Sequence, residues 1–249
     1  MRAVILSAGQ GSRLLPLTMD RPKCLLPVGS RSVLQWQIEA LSRSREIDEI
    51  VVVAGFKAEL VERALSEMAP LGPCVRTIFN PFYRVADNLA SCWMARDFMD
   101  RDFLIVNGDS LFEVAVLAKI VGEAKAPINL TVNRKPAYDT DDMKVTLTGD
   151  RVAAVGKTLL PKETDAESIG LVLFRGEGPA LFTQMVEASM RDGAGVGAWY
   201  LQVIDRLARD GQVGATDISG LEWGEIDFPS DLEDVSRLAA KWERLRIVA

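Results

Sequence analysis

The sequence predicts an α/β protein built on a mixed, mostly parallel sheet with helices on both faces. Three observations predict it. Through the first 110 residues, short and nearly all-apolar strands alternate with helical periodicity, the pattern of a parallel sheet buried on both sides. Those strands run into turn-forming residues at their carboxyl ends, Gly55, Asn80-Pro81 and Asn107-Gly108-Asp109 among them, where ligands bind in open α/β sheets. Beyond residue 128 strands follow one another more closely, and Thr148-Gly149-Asp150 marks a hairpin.

In chain order, residues 2–7 read as the first strand. Residues 32–45 read as a helix, with Ser32 as N-cap and Val33, Leu34, Ile38 and Leu41 on one face. A strand over 49–54 and a helix over 58–68 follow, the helix closed by Pro70 and Gly72. Residues 75–79 are a strand, 88–98 a helix and 102–106 a strand. In the second half, 128–133, 143–148, 152–155 and 168–174 read as strands. Helices are expected at 179–190, 199–209 and 231–245, the last with Ser230 as N-cap. No linker, repeat or low-complexity stretch interrupts the pattern. The expectation is one domain over 1–249, with a first half over 1–110 and a second over 111–249.

The bulk numbers exclude several classes. The chain has 249 residues, 48% hydrophobic and 26% charged, which is ordinary globular composition. A net charge of −6 argues against nucleic acid, whose phosphates require a basic face. No stretch reaches the roughly 20 apolar residues of a membrane span, and the apolar run from Ala3 to Leu6 is too short for a signal peptide. A cytoplasmic protein is expected; a homodimer is compatible with this reading. Cys24, Cys74 and Cys92 are odd in number and widely spaced, so they form neither a disulfide framework nor a zinc cluster. Cys24, next to Lys23, is the one to watch. Histidine is absent, so chemistry must run on carboxylates, lysines, arginines, backbone dipoles and bound metal.

The segment Leu6-Ser7-Ala8-Gly9-Gln10-Gly11-Ser12-Arg13 carries the strongest signal. Glycines allow backbone N–H groups to approach an anion, and Arg13 and Lys23 add positive charge. The spacing lacks the third glycine of a dinucleotide fingerprint and the Gly-Lys-Ser/Thr ending of a Walker loop. Asp109 ends the strand run Phe103-Leu104-Ile105-Val106 after Asn107-Gly108. It reads either as a turn-former or as a Mg²⁺ ligand, since magnesium is held by one or two carboxylates plus substrate phosphates. Glu225 and Asp227 alternate on a short strand and so share a face. A solvated edge would explain them, and so would a metal site completed with Asp109.

Taken together, these motifs resemble the Rossmann-like sugar-phosphate nucleotidyltransferases. The likeness is strongest to their small phosphocholine-type cytidylyltransferase branch, which activates phosphate or phosphonate monoesters. The match includes the 6–13 loop, Pro22-Lys23, Asn88-Leu89-Ala90-Ser91, Asn107-Gly108-Asp109, Gly156-Lys157, Ser168-Ile169-Gly170 and Glu225-Ile226-Asp227. The resemblance implies that Leu6, Ala8, Gly9, Gly11, Ser12, Arg13, Lys23, Asp87, Asn88, Ser91 and Asp109 bind the nucleotide. Arg13 and Lys23 would be catalytic, and Asp109 and Asp227 would hold Mg²⁺. Lys144, Lys157, Glu167 and Tyr200 would serve the acceptor.

The implied reaction moves CMP from CTP to a small phosphate or phosphonate monoester and releases pyrophosphate. The attacking phosphate oxygen is already anionic near neutral pH, so no general base is needed. The acceptor is left open. Tyr138, Trp199, Tyr200 and Trp223 could form a cage for choline; the run Asp139, Asp141, Asp142 could pair with a primary ammonium; a polyol phosphate needs neither. Two alternatives stand beside this reading: a sugar-1-phosphate nucleotidyltransferase using another NTP, and a non-catalytic nucleotide-binding regulatory domain.

Overall fold

The computed structural model describes residues 1–68 and 73–248. Its strands and helices in order are β1 (Arg2–Ser7), β2 (Pro27–Val28), β3 (Arg31–Ser32), α1 (Val33–Ser42), β4 (Glu49–Ala54), α2 (Ala58–Glu67), β5 (Cys74–Phe79), α3 (Asn88–Met94), β6 (Phe103–Asn107) and β7 (Ser110–Phe112). Then come α4 (Val114–Glu123), β8 (Ile128–Asn133), β9 (Lys144–Thr148), β10 (Arg151–Gly156), β11 (Ala166–Phe174), α5 (Gly178–Arg191), α6 (Tyr200–Arg209), β12 (Val213–Asp217), β13 (Trp223–Glu225) and α7 (Asp231–Val248).

The main sheet has nine strands in the order β5-β4-β1-β6-β11-β8-β12-β10-β9. The first four are parallel, with β1 paired residue for residue to β4 and β6. β11 then runs antiparallel between β6 and β8, so the expected mixed, mostly parallel class holds in the half that carries the glycine loop. In the other half β11 also pairs with β9, so β11, β8, β12, β10 and β9 form a closed circuit. The circuit closes through the single pair Arg151–Gly214.

Alternation along each parallel strand feeds two cores. Val4, Val51, Val53 and Ile105 face α3, α5 and α6, while Ala3, Ile5, Val52 and Leu104 face α1, α2 and α4. A third, smaller cluster positions the site. It joins Leu14, Leu26, Val28, Trp36, Leu111 and Ile226 to Val235, Ala239 and Trp242 of α7. Leu14 and Ile226 are fully buried, and burying such a side chain contributes about 1.5–3 kcal/mol. These residues neighbour Arg13, Lys23, Asp109 and Asp227 in sequence, so one small core anchors all four loops.

Ser32 caps α1 as expected, and reciprocally: its hydroxyl accepts from Gln35 N–H at 3.2 Å while Gln35 Oε1 accepts from Ser32 N–H at 2.7 Å. The expected closure of α2 at Pro70 and Gly72 lies outside the described residues. Three differences from the sequence reading stand out. The helix expected over 88–98 ends at Met94 and continues as a 3₁₀ turn, Arg96–Phe98. α4 and β12 were not expected: the first half of α4, Val-Ala-Val-Leu-Ala, has no polar face to reveal its period, and β12 is a short segment containing a glycine. The strand expected around residues 223–229 is only β13, three residues paired to β7.

Candidate active site

β1 ends at Ser7, and the chain leaves the sheet through Gly9 and Gly11. Gly11 has φ +77°, and a Cβ there would meet Lys23 Cβ at 3.0 Å. The left-handed turn therefore both reverses the chain and lets the Lys23 stem lie against it. On the neighbouring strand, a Cβ at Gly108 would stand 2.5 Å from both Leu6 O and Ser7 Oγ. This absence of a side chain lets the ends of β1 and β6 come together, and Asp109 follows immediately.

A cavity of about 360 Å³ opens there. Of the expected nucleotide-binding residues, Leu6, Gly9, Gly11, Ser12, Arg13, Lys23, Asp87 and Asp109 line it, together with Asp227. Lys23 Nζ donates to Asp109 Oδ2 and to Asp227 Oδ1, each at 2.8 Å. Arg13 pairs with the other Asp227 oxygen at 3.0 Å and lies over the Phe228 ring at 4.9 Å.

The charges tune one another. Burial works against the Lys23 ammonium, yet Asp109 and Asp227 outweigh it and hold its pKa above the ordinary lysine value. Burial works to raise the Asp227 carboxyl, but Lys23 and Arg13 hold it below its usual range. Glu225 makes no ion pair among the described residues, and Lys23 offsets its burial only in part. Burial, then repulsion from Asp109 and Asp227, pushes it up to about 8.

Asp109 Oδ1 is buried without a hydrogen-bond partner. An orphaned carboxylate oxygen beside a second carboxylate is a donor set suited to a hard cation. Among the described residues no group of three or more His, Cys, Asp or Glu side chains could hold a metal. A Mg²⁺ ion here would therefore take Asp109 and Asp227 and draw its remaining ligands from phosphate oxygens and water.

Other expected residues support the cavity from behind. The Ala8 carbonyl accepts from Phe56 N–H at 2.9 Å. Asn88 Oδ1 accepts from Tyr200 N–H at 2.8 Å, and Ser91 is buried with its hydroxyl accepting from Asn80 at 3.0 Å. These two were expected beside base and ribose; here they tie α3 to its surroundings. Cys24 lines the cavity but is buried, and burial pushes its thiol up to about 12, leaving it inert.

The acceptor candidates divide. Lys157 reaches the mouth, with its ammonium 5.1 Å from the centre of the Trp199 ring and 3.8 Å from Asp141. Lys144 is buried, and its Nζ donates to the Lys157 carbonyl at 3.1 Å, fixing that backbone. Glu167 is buried and takes Lys135 at 2.6 Å and Asn133 at 3.2 Å. Tyr200 corrects the expectation most clearly. Its ring is wholly buried in the core, and its hydroxyl donates to Asn107 Oδ1 at 3.1 Å.

Three residues not found from the sequence matter here. Ser7 lines the cavity with a buried hydroxyl beside the Cys24 thiol. Asn107 is pinned by Tyr200 and by Gly170, which sits in a register shift of β11 at φ +78°; a Cβ there would lie 2.5 Å from Asn107 Nδ2. Lys135 joins Asp142 to Glu167. A strand-terminal Asn before Gly-Asp was a readable signal, and Ser7 lies within the glycine-loop segment itself; Lys135 had none.

The profile of the nucleotidyl transferase family matches residues 2–140. The chain is 31% identical over 259 aligned residues to the CMP-5'-(3-aminopropyl)phosphonate synthase of Streptomyces rubellomurinus, all of this chain matching 40% of that protein's length. It is 28% identical to the CTP:phosphoglutamine cytidylyltransferase of Campylobacter jejuni, covering 94% of this chain and 98% of that one. Among solved structures, the inositol-1-phosphate CTP transferase of T. maritima superposes with a TM-score of 0.80 at 22% identity, over 96% of this chain and 95% of that one. The CTP:phosphocholine cytidylyltransferase of Streptococcus pneumoniae gives 0.77 at 18%, over 96% and 98%. These two likenesses bear on fold alone. No helix among the described residues is long and apolar enough to cross a membrane.

Proposed function

The chain belongs to the nucleotidyl transferase family, and within it we propose a Mg²⁺-dependent cytidylyltransferase that transfers CMP from CTP to a small phosphate or phosphonate monoester. The observation that supports this most is the Lys23 ammonium shared by Asp109 and Asp227 beside the glycine turn. It gathers two carboxylates, two cations and exposed backbone N–H groups at one strand end, the inventory needed for a metal-bound triphosphate. The names of two relatives, a CMP-phosphonate synthase of which the chain spans 40% and a phosphoglutamine cytidylyltransferase matched over nearly its whole length, support CTP and a phosphorylated or phosphonate partner.

Residues 1–110 would bind the nucleotide and 111–249 the acceptor. The backbone of Gly9 and Gly11, with Arg13 and Lys23, would cradle the triphosphate. Asp87, at the N-terminus of α3, would face the base. Asp109 and Asp227 would hold Mg²⁺, which when bound neutralises charge on the phosphates. Lys157 would orient the acceptor phosphate, with Lys144 fixing its backbone. An anionic oxygen of that group attacks the α-phosphorus in line. The new P–O bond forms as the α–β bridging bond breaks, and pyrophosphate leaves with its charge met by Arg13 and Lys23. No covalent enzyme intermediate forms.

The aromatic side chains considered for a choline cage are committed elsewhere. Tyr200 is buried, Trp223 packs on the core, Tyr138 donates to the Asp165 carbonyl, and Lys157 lies over Trp199. This supports an aminoalkyl or polyol acceptor over choline phosphate. Pyrophosphate release should be measured with CTP, UTP, ATP and GTP against phosphocholine, aminoalkyl phosphonates, polyol phosphates and sugar 1-phosphates. Turnover with CTP and a non-sugar monoester is expected. Absence of turnover with CTP, or preference for another NTP with a sugar 1-phosphate, overturns the reading.

A further inference from the structure

Asp141, weighed above only as a partner for an ammonium group, stands between two of the cations assigned to phosphates. Asp141 is half exposed, and its carboxylate makes two ion pairs, 3.9 Å from Arg13 and 3.8 Å from Lys157. These are the cations given to the triphosphate and to the acceptor phosphate. The loop presenting Asp141 is internally braced. Asp139 Oδ1 accepts from the N–H of Asp141 at 2.9 Å and of Asp142 at 3.3 Å. Buried Asp142 in turn accepts from Asp139 N–H and from Lys135, both at 2.8 Å. The Asp141 carboxylate takes no part in that bracing. Its two cations rest on independent supports: Arg13 on Asp227 and Phe228, Lys157 on Trp199.

We propose that Asp141 is an internal anion that couples the two substrates. In the free protein it stands between Arg13 and Lys157; a triphosphate that engages Arg13 loosens it from Lys157 and opens the acceptor position. The inference rests on the assignment of Arg13 and Lys157 under the proposed function.

The physical basis is simple. A carboxylate shared by two cations is held by both attractions. When one cation turns to a ligand carrying more charge, a single exposed ion pair remains, and such pairs are weak in water. The coupling is reciprocal by linkage: an acceptor phosphate on Lys157 frees Arg13 by the same factor. Asp141 thereby favours loading both sites over loading one. Removing its charge should tighten each phosphate alone and erase the part of the cooperativity that Asp141 supplies. Asp141→Asn leaves the turn intact, because the turn uses the side chains of Asp139 and Asp142.

The test is calorimetric, with methyl phosphate as the acceptor probe and α,β-methylene CTP as an uncleavable nucleotide. Asp141→Asn alone should bind methyl phosphate about three- to fivefold more tightly than the wild type. The nucleotide analogue should improve methyl phosphate binding at least about threefold more in the wild type than in Asp141→Asn. Equal methyl phosphate affinity in the two proteins, or an equal nucleotide effect in both, overturns the proposal. If only the methylene analogue of another NTP binds, the CTP reading falls and the same comparison is made with that nucleotide. If no triphosphate analogue binds, the coupling falls as well.

Discussion

The first 110 residues and the remainder treat charge in opposite ways. In the first part, parallel strands in register deliver Arg13, Lys23 and Asp109 from loops at their carboxyl ends into an open cavity. In the second, strand pairings close on themselves, and the polar side chains bind one another: Lys144 holds the Lys157 carbonyl, Lys135 joins Asp142 to Glu167, and Tyr200 braces Asn107. One region gathers its charged groups around a cavity, and the other ties its polar groups into its own loops and strands. What faces an acceptor in the second region is reduced to a few groups at the rim, Lys157, Asp141 and Trp199 among them.

The strongest way to break this contrast is Lys23→Ala. If Lys23 acts on the reacting phosphates, kcat should fall about 10²- to 10³-fold with the acceptor KM little changed. A loss under tenfold in steady-state assays would make Lys23 a structural counterion. The next test sets two glycines against each other. Gly108→Ala places a Cβ 2.5 Å from Leu6 O and Ser7 Oγ, whereas nothing lies within 4 Å of one at Gly156, beside Lys157. Urea denaturation should show about 2–4 kcal/mol lost at Gly108 and under about 0.5 kcal/mol at Gly156.

A pH test sharpens the electrostatic half of the comparison. The Glu225 carboxyl is raised from its ordinary 4.5 to about 8, so between those values the folded protein binds more protons than the unfolded chain. Its contribution is fully present below about 4.5 and is lost as pH rises through 8. In chelator, the stability of the wild type relative to Glu225→Gln should decline over that window. A flat difference would mean that neither burial nor the neighbouring Asp109 and Asp227 raise the Glu225 carboxyl. The smallest effect concerns Tyr200→Phe, which deletes one hydrogen bond to Asn107. It should cost about 1 kcal/mol of stability and leave the acceptor KM within about threefold. A large KM rise with unchanged stability would restore Tyr200 to the acceptor site.

The same contrast explains what could be read in advance. β1, β4 and β8 coincide with their expected spans, because β1 and β4 are near-continuous apolar runs and β8 alternates apolar with polar residues, patterns with few alternatives. The glycine loop, Lys23 and Asp109 were legible because backbone approach to an anion demands those residues locally. Tyr200 and Ser91 misled: as residue types they suit a ligand, and only three-dimensional packing puts them behind the cavity wall. Lys135 gave no local signal, since its meaning comes from Glu167, brought near by the return of β11 alongside β8. The bridging position of Asp141 likewise exists only once residues 13 and 157 face each other.

The contact between Lys23 and Asp227 spans 204 positions of the chain. During translation the glycine loop and Asp109 emerge early, and N-terminal regions begin folding first. Until residue 227 leaves the ribosome, Lys23 has Asp109 alone, and Arg13 lacks its 3.0 Å partner. The charge arrangement around Lys23 and Arg13 is therefore complete only once the Asp227 loop has been made and docks against them.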